Sequence, residues 1–342
     1  MLDPARFVLS RKKLQEQHDV IKAECDEVSY SSKTNYIVAA ELEKMTDCSF
    51  SVHTTDALSD IKDKSRVWFF IQACEEDELR QIFSLGVERF VVDNETDLAV
   101  LLDFIGKSKK KIDLLLRMRL KEHTIHTGKY FVYGMYSERV NKLLPGLRKN
   151  GRIRRLGIHF HRKTQNISEW SMQYELKDLL TEKAIACIDL VNMGGGIPVK
   201  YKNFRADVLA HVFKEIRKLK EWLEKKSINL MIEPGRFIAG PCIEMHAKIK
   251  NIYHDNIIVN CSVYNAAMDT FIVHTRLEVK GELETGSAFT IKGMTPDAMD
   301  IFRYRVFLDN PKVGDEIIFL NAGAYNFSTE FCRLPKLETE II

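Results

Sequence analysis

Short apolar runs alternating with helix-length stretches predict an α/β fold: a (β/α)8 TIM-like barrel followed by a β-rich C-terminal domain. Two observations carry this expectation: eight such runs between Val28 and about Gly240, and a change of texture after Pro241. Buried parallel strands read as near-continuous apolar runs, and such runs alternating with helices imply a parallel sheet. In order, the runs are Val28–Ser32, Cys48–Val52, Val67–Ile71, Arg89–Val92, Ile112–Met118, Arg155–Phe160, Cys187–Asn192 and Asn229–Ile232. Between them lie the helix-length stretches Ile37–Met45, Asp77–Leu85, Glu95–Ile105, Glu138–Lys149, Glu169–Lys183 and Arg205–Lys225. Eight βα units in this length of chain point to a closed barrel. Past Pro241, Lys248–Tyr253, Ile257–Cys261, Phe271–Leu277, Ala288–Ile291 and Glu316–Leu320 read as strands, with turn-rich links such as Lys280–Gly281 and Thr285–Gly286.

Composition agrees with this plan and excludes several functions. The 342 residues suffice for a large barrel and a smaller partner domain. A net charge of +3, from 51 basic and 48 acidic residues, leaves no nucleic-acid footprint. The densest basic run, Lys107 to Lys111, follows a helical pattern and reads as a solvated loop. Seven scattered cysteines without a C-x-x-C pair predict neither a disulfide framework nor a metal site, and suit a reducing compartment. The N-terminal MLDPARFVLSRKK has no apolar core followed by a cleavage site, and no run approaches the roughly 18 apolar residues of a membrane span. These features predict a cytoplasmic protein with no membrane or nucleic-acid partner.

Active sites of such barrels lie at the carboxyl ends of the strands. After the first strand come Lys33, Thr34 and Asn35; after the sixth, His161, Arg162, Lys163 and Thr164. After the seventh come Gly194, Gly195 and Gly196; after the eighth, Glu233-Pro234-Gly235-Arg236. Taken singly, each is bland: a surface lysine, a structural histidine, a tight loop, an exposed ion pair worth little. Their placement on one rim is what points to a site. A lysine amine forms a Schiff base with an aldehyde cofactor, whose ring then stores the electrons of a bond broken at Cα. A carboxylate such as Glu233 would keep that ring's nitrogen protonated. Glycine amides and Arg236 suit a phosphate, and a histidine ring can pack on the cofactor's face.

With these residues in order, the chain resembles the fold-type III PLP-dependent decarboxylases, the group of ornithine, biosynthetic arginine, diaminopimelate and carboxynorspermidine decarboxylases. The similarity runs from about Phe7 to the last residues. Tyr30-Ser31-Ser32-Lys33-Thr34-Asn35 resembles the segment whose lysine holds pyridoxal 5′-phosphate, and Gly157-Ile158-His159-Phe160-His161 the strand with the ring-stacking histidine, here His161. Leu85-Gly86-Val87 leading to Phe90-Val91-Val92-Asp93 resembles the family's third-to-fourth strand passage. The resemblance implies that Thr164, Gly194, Gly195, Gly196, Gly235, Arg236 and Tyr325 serve the phosphate. It implies further that Glu233 holds the pyridine nitrogen and that Arg117 lies beneath the ring. Gly293 to Asp300 resembles a loop that enters a partner subunit's active site, so a homodimer with shared sites is implied. The family also adds an N-terminal strand to its β domain, for which Phe7-Val8-Leu9 is the candidate. The implied domains are 1–27 with the C-terminal β domain, 28–240 as the PLP-binding barrel, and 241–342 as the β domain itself.

The substrate side departs from the family. Pro296 stands where a cysteine normally returns a proton to Cα, while Asp297, the substrate-amine contact, is kept. An acidic residue after the second strand is absent, and His53 lies in its neighbourhood. Counting from Val263-Tyr264 places His274 at the position that grips a distal amine. On a strand, Arg276 would face the same side. Asp297, His274, Arg276 and Tyr264 are therefore the expected substrate contacts, and Cys332, Tyr264, His274 and Lys33 the groups able to return the proton. The expected activity is decarboxylation of an ornithine-, lysine- or diaminopimelate-like amino acid, or of a conjugated one, by way of a Lys33 Schiff base. Lys33, His161, Glu233 and Asp297 would be the catalytic set. The alternatives are a silent homologue acting as a binding protein and an amino-acid racemase. Glu233 argues against the racemase, whose relatives place an arginine against the ring nitrogen.

Overall fold

The computed structural model describes residues 2–120, 133–204, 207–326 and 329–342. The chain divides into two compact units, one of Met1–His18, Pro198–Ala206 and Arg236–Ile342, the other of Asp19–Ile197 and Asp207–Gly235. Strand β1 (Arg6–Leu9) belongs to the first unit. The second unit is a closed barrel of eight parallel strands: β2 (Glu27–Ser31), β3 (Ser49–Val52), β4 (Val67–Ile71), β5 (Arg89–Val92), β6 (Ile112–Arg117), β7 (Ile153–His159), β8 (Leu190–Asn192) and β9 (Asn229–Ile232). Each falls on one of the eight apolar runs.

Both faces of these strands are buried, which is why they read as continuous apolar runs. One parity carries Phe50, Val52, Phe69, Phe90, Leu114, Leu116, Ile158 and Leu230, all closed to solvent. The other parity fills the barrel: Trp68, Val91, Leu115, Leu190 and Met231 form one cluster, with Phe70 packed against it. Gly157 completes this layer, because a Cβ there would lie 2.7 Å from Leu115 Cδ2 and 2.1 Å from the Leu190 carbonyl. Burying each large apolar side chain contributes about 1.5–3 kcal/mol, so this plug can carry a polar layer above it. Below the plug, Arg155 pairs with Glu27 at 2.5 Å, and Arg154 bridges Asp113 at 3.0 Å and Glu88 at 2.6 Å. Those partly exposed pairs close the amino-terminal end of the barrel and contribute at most about 1 kcal/mol each.

One predicted helix is broken and another is shorter. Glu169–Lys183 is not a single helix but two, Met172–Leu179 and Glu182–Ile185. The break falls at Thr181, whose hydroxyl caps the second helix by accepting from the Ala184 amide at 3.2 Å. The predicted Arg205–Lys225 corresponds to a helix over Leu209–Glu224, while Arg205 and Ala206 lie outside the described residues. The Lys107–Lys111 run is exposed at the end of the helix Glu95–Ser108.

The other unit carries β1 together with β10 (Ile243–Tyr253), β11 (Asn256–Val259), β12 (Glu278–Val279), β13 (Leu283–Lys292), β14 (Ile301–Phe307), β15 (Glu316–Leu320) and β16 (Glu338–Ile341). Strand β10 organises this sheet. Its first half pairs antiparallel with β1 on one side (Leu9 opposite Ile243) and with β15 on the other (Met245 opposite Phe319). Its second half pairs with β11, and β1 also pairs in parallel with β16.

The predicted strand Phe271–Leu277 does not form. A short helix, Asp269–Ile272, occupies its start, and His274 follows with φ at +58°. Local polar bonds outcompete a strand here: Thr275 Oγ1 donates to Asp269 Oδ2 at 2.8 Å, and Thr270 Oγ1 to the Thr275 carbonyl at 3.2 Å. Short or charged segments hid β12, β14, β16 and the helix Arg11–Lys22 from the sequence pattern.

Candidate active site

The barrel's register and parity build the site. Ser31 pairs with Ser51 across β2 and β3, so Lys33 and His53 leave adjacent strands at level positions, two residues further on. Val52 pairs with Phe69 across β3 and β4, which sets His53 beside Phe70. The same two-residue step repeats around the barrel. Phe70 follows Trp68, Asp93 follows Val91, Arg117 follows Leu115, Asn192 follows Leu190 and Glu233 follows Met231, each one inward position above the apolar plug. His159 and then His161 stand above Gly157 at the same step. Lys33 itself sits in a short turn, Ser32–Thr34, pinned where Ser32 Oγ donates to the Ser51 carbonyl at 2.9 Å. Asn35 then caps the next helix, accepting from the Ile37 and Val38 amides at 3.0 and 3.2 Å.

Glu233 is the central group. It is 8 % exposed. Its Oε2 accepts from Asn192 Nδ2 at 3.2 Å and lies 3.4 Å from His159 Nε2. Burial opposes its charge most strongly, but the contacts with His159, His53 and His161 together outweigh burial and hold the carboxyl at about 2, so it is ionised at neutral pH. Burial lowers His159, and it lowers His53 to about 3 and His161 to about 4, so the three rings are neutral. His161 Nδ1 accepts from the Gly195 amide at 3.3 Å, which leaves the proton of the neutral ring on Nε2. Burial also lowers Lys33, against the attraction of Glu233. Lys33 and His161 are nevertheless reached by solvent. Both facts hold when the groups line a recess that protein encloses on most sides. Arg117 donates to Asp93 at 3.1 Å.

The glycine triplet threads a gap too narrow for side chains. A Cβ on Gly194 would meet the Phe160 carbonyl at 2.5 Å, one on Gly195 the Glu233 carbonyl at 2.5 Å, and one on Gly196 the Lys163 carbonyl at 2.5 Å. Two of its amides are already engaged, Gly194 N with Asn192 Oδ1 at 2.9 Å and Gly195 N with His161. Gly235 is equally constrained, since its Cβ would fall 2.2 Å from Thr34 Oγ1. Thr164 is half-buried in the loop after β7.

The remaining expected residues lie in the other unit. There Arg236, 5 % exposed, donates both terminal nitrogens to the Asp269 carboxylate, Nη2 at 2.9 Å, and Nη1 also to the Tyr201 hydroxyl at 3.0 Å. Its guanidinium lies 5.2 Å above the Tyr325 ring. This charge is thus already matched by a carboxylate. Tyr264 is buried and its hydroxyl is pushed up to about 12 by burial and by Asp297 and Asp300. Asp297 is exposed on its loop. His274 is exposed, and Arg276 is half-buried with its amide donating to Asn203 Oδ1 at 2.8 Å. With no strand between them, the argument that His274 and Arg276 share a face fails.

Sequence reasoning missed His159, Asn192, Phe70 and Asp93 as rim residues, and Asp269 as the partner of Arg236. The first four were readable: each sits one two-residue step beyond an apolar or glycine position in a buried strand. Asp269 carried no such local signal.

An eight-stranded barrel whose carboxyl rim gathers an amine, neutral imidazoles and a buried carboxylate defines a barrel enzyme with an organic carbonyl cofactor. The sequence profile described as the pyridoxal-binding domain of pyridoxal-dependent decarboxylases matches residues 13–240, and the chain belongs to that family; pyridoxal 5′-phosphate is its cofactor. Antizyme inhibitor 2 of Xenopus laevis is 22% identical over 333 residues, covering 87% of this chain and 70% of that protein. The 2-[(L-alanin-3-ylcarbamoyl)methyl]-2-hydroxybutanedioate decarboxylase of Staphylococcus aureus is 24% identical over 284 residues, 74% of this chain and 70% of that protein. Among solved structures, the lysine/ornithine decarboxylase of Vibrio vulnificus complexed with cadaverine superposes with a TM-score of 0.78 at 18% identity, over 99% of this chain and 94% of that one.

The barrel residues fit this cofactor. Glu233 is a buried anion whose Oε2 is met by the neutral amide of Asn192 and the neutral ring of His159. Such a charge calls for a cationic N–H partner, which a protonated pyridine nitrogen supplies. His53 Nδ1 and His159 Nδ1 are buried without a hydrogen bond, as expected where a further polar group is to be received.

Proposed function

We propose that this protein decarboxylates an amino acid at Cα, with Lys33 as the residue that binds pyridoxal 5′-phosphate covalently. When bound, the cofactor supplies an electron sink for the bond that breaks. The rest falls to the chain. Glu233 keeps a proton on the ring nitrogen, His161 packs on the ring face, and Arg117, tethered by Asp93, lies beneath it. The glycine loop after β8, with Thr164 after β7 and Gly235 after β9, serves the phosphate. Arg236 and Tyr325 are assigned the same role by resemblance. The observation that carries this reading is the buried, ionised Glu233 on one rim with the Lys33 amine.

For the substrate, the reading extends to ornithine-, lysine- or diaminopimelate-like amino acids or a conjugated one. The similarity to a decarboxylase of a carbamoyl-linked alanine in Staphylococcus aureus supports the conjugated class. Asp297, Tyr264, His274 and Arg276 are the proposed substrate contacts, and a homodimer would bring Asp297 to a second copy's site. The test is a screen for CO2 release across basic, acidic and conjugated amino acids, with borohydride reduction and mass spectrometry of the holoenzyme. The pyridoxyl group is expected on Lys33, and Lys33→Ala is expected to lose both the group and all turnover. A label on another lysine overturns the assignment. A second reading, a binding protein on this fold, is favoured by Pro296 in place of a proton-donating cysteine and by the likeness to antizyme inhibitor 2. It gains if Lys33 is labelled and no amino acid releases CO2.

A further inference from the structure

The loop after β7 and the glycine loop after β8 are fastened to each other at Gly196. A Cβ on Gly196, whose φ is +95°, would fall 2.5 Å from the Lys163 carbonyl. Three residues further on, the Asn166 amide donates to the Gly196 carbonyl at 2.9 Å. Between these two points the chain arches through Thr164 and Gln165, the latter with a left-handed φ of +52°. Asn166 holds the far foot of the arch. It is 1 % exposed, and each of its polar groups is bonded. Its Nδ2 donates to the Glu169 carbonyl at 2.8 Å, and its Oδ1 accepts from the Glu169 and Ser168 amides at 3.1 and 3.4 Å. Its own carbonyl accepts from the indole of the buried Trp170 at 3.0 Å. An asparagine that accepts from amides two and three residues on closes a local turn. The same turn gathers the neighbouring charges, since Arg162 and Lys163 both reach the Glu169 carboxylate, at 3.4 and 3.3 Å.

We propose that Asn166 is a positioning residue for the cofactor phosphate: from its buried turn it holds Thr164 and Gly196 in one frame. This rests on the reading that these loops serve the phosphate. An anion is gripped by several donors at once, and donors already in place cost no ordering when it binds. The Gly194 and Gly195 amides are spent within the protein, on Asn192 and His161. The triplet's share of the phosphate therefore falls to Gly196, the glycine that Asn166 grips. Remove the Asn166 side chain, and the Ser168 and Glu169 amides lose their acceptor. The turn is then free to open, and Thr164 and Gly196 lose their common frame. Lys33 and Glu233 follow other strands, β2 and β9, and keep theirs. The cost thus falls on the phosphate and spares the pyridoxal ring.

The test separates phosphate from ring without using turnover. Full-length protein freed of cofactor is titrated in a calorimeter with pyridoxal 5′-phosphate, with pyridoxal and with inorganic phosphate. In the wild type the phosphorylated aldehyde is expected to bind more tightly, and the ratio of the two aldehyde Kd values measures the phosphate's contribution. Asn166→Ala is expected to shrink that ratio by about tenfold or more, the usual weight of a hydrogen bond to a charged group. It should weaken inorganic phosphate in step and leave the Kd for pyridoxal unchanged. Trp170→Phe keeps a ring and removes the indole donation, and it is expected to shrink the ratio by about threefold, the weight of one neutral hydrogen bond. Should Asn166→Ala fail to fold, the ratio in Trp170→Phe decides. An undiminished ratio overturns the proposal. So does an equal loss of pyridoxal and its phosphate, the mark of a general loosening of the barrel. Failure of the cofactor reading looks different: the wild type then takes no pyridoxyl label on Lys33 under borohydride. The titration with inorganic phosphate still compares wild type and variant in that case, and equal affinity there overturns the role of Asn166.

Discussion

Two buried charges, Arg236 in the β unit and Glu233 in the barrel, are treated in opposite ways. In the β unit, Arg236 and Asp269 close on each other through two hydrogen bonds, and Thr275 adds a third to the same carboxylate. Asp300 accepts from the Val263 amide at 2.8 Å and from the Thr295 amide and hydroxyl at 3.0 and 2.6 Å. Arg303 is divided between the Leu277 carbonyl and Glu282. In the barrel, Glu233 keeps its charge with an amide and a neutral ring against it, and His53 and His159 leave ring nitrogens unbonded. Networks that are fully satisfied rigidify a fold, whereas buried groups left wanting a partner are costly unless something arrives to complete them. The contrast concerns the charges: Asn326 Nδ2 and the ring nitrogens of His246 in the β unit are also buried without a hydrogen bond.

The largest effect is expected where the network is complete. Asp269→Ala removes the carboxylate that accepts from both terminal nitrogens of the buried Arg236, which costs about 3–5 kcal/mol. Denaturant melts and hydrogen exchange on β10 and β15 measure it, and a loss below about 1 kcal/mol would break the comparison. Glu233→Gln should do the reverse. Turnover is expected to fall about a hundredfold, the usual effect of one preorganised electrostatic contact. Stability is expected to change by less than in Asp269→Ala, because the amide that replaces the carboxylate can still accept from Asn192 and leaves no charge without a counter-charge. A variant that loses stability and keeps its rate would place Glu233 with the scaffold.

The smallest effect is a slope with pH. Burial holds His53 and His161 at about 3 and about 4, below the ordinary 6.5 of the unfolded chain. Between those values the unfolded chain binds the extra protons, so stability is full above about pH 6.5 and falls as pH drops toward 4 and below. The readout is convenient because Trp68, Trp170 and Trp222, the chain's 3 tryptophans, all belong to the barrel unit. Their fluorescence should show a denaturation midpoint that declines with acid over this range. The decline should be shallower in His53→Gln and His161→Gln. An identical decline in those variants would assign the acid sensitivity elsewhere.

Legibility differed between the units for the same physical reason. Parallel barrel strands are apolar on both faces, so each announces itself within a handful of residues, and all eight lie where the apolar runs are. The lysine, histidine, glycine triplet and Glu-Pro-Gly-Arg turn were visible as unusual residues at strand ends. The β unit pairs residues that are far apart in the chain. Strand β1 at Arg6–Leu9 finds β10 and β16 at Ile243–Tyr253 and Glu338–Ile341, and β14, with Arg303 buried in it, shows no apolar run. The segment from Phe271 to Leu277 looked like a strand because Phe271, Ile272 and Val273 form an aromatic and β-branched run. The Asp269 carboxylate, bonded by Thr275, folded its start into a helix instead.

The sequence by itself determined the barrel and the order of groups around its rim, because strand period and strand-end position are local properties of the chain. Tertiary structure alone decided which charges meet and which protons stay. Arg236 is matched by Asp269, and His274 lies on a turn rather than a strand. Glu233 is ionised while His53, His159 and His161 are neutral. Charge state depends on desolvation and on neighbours a few ångströms away, and here those neighbours come from strands separated by up to two hundred residues.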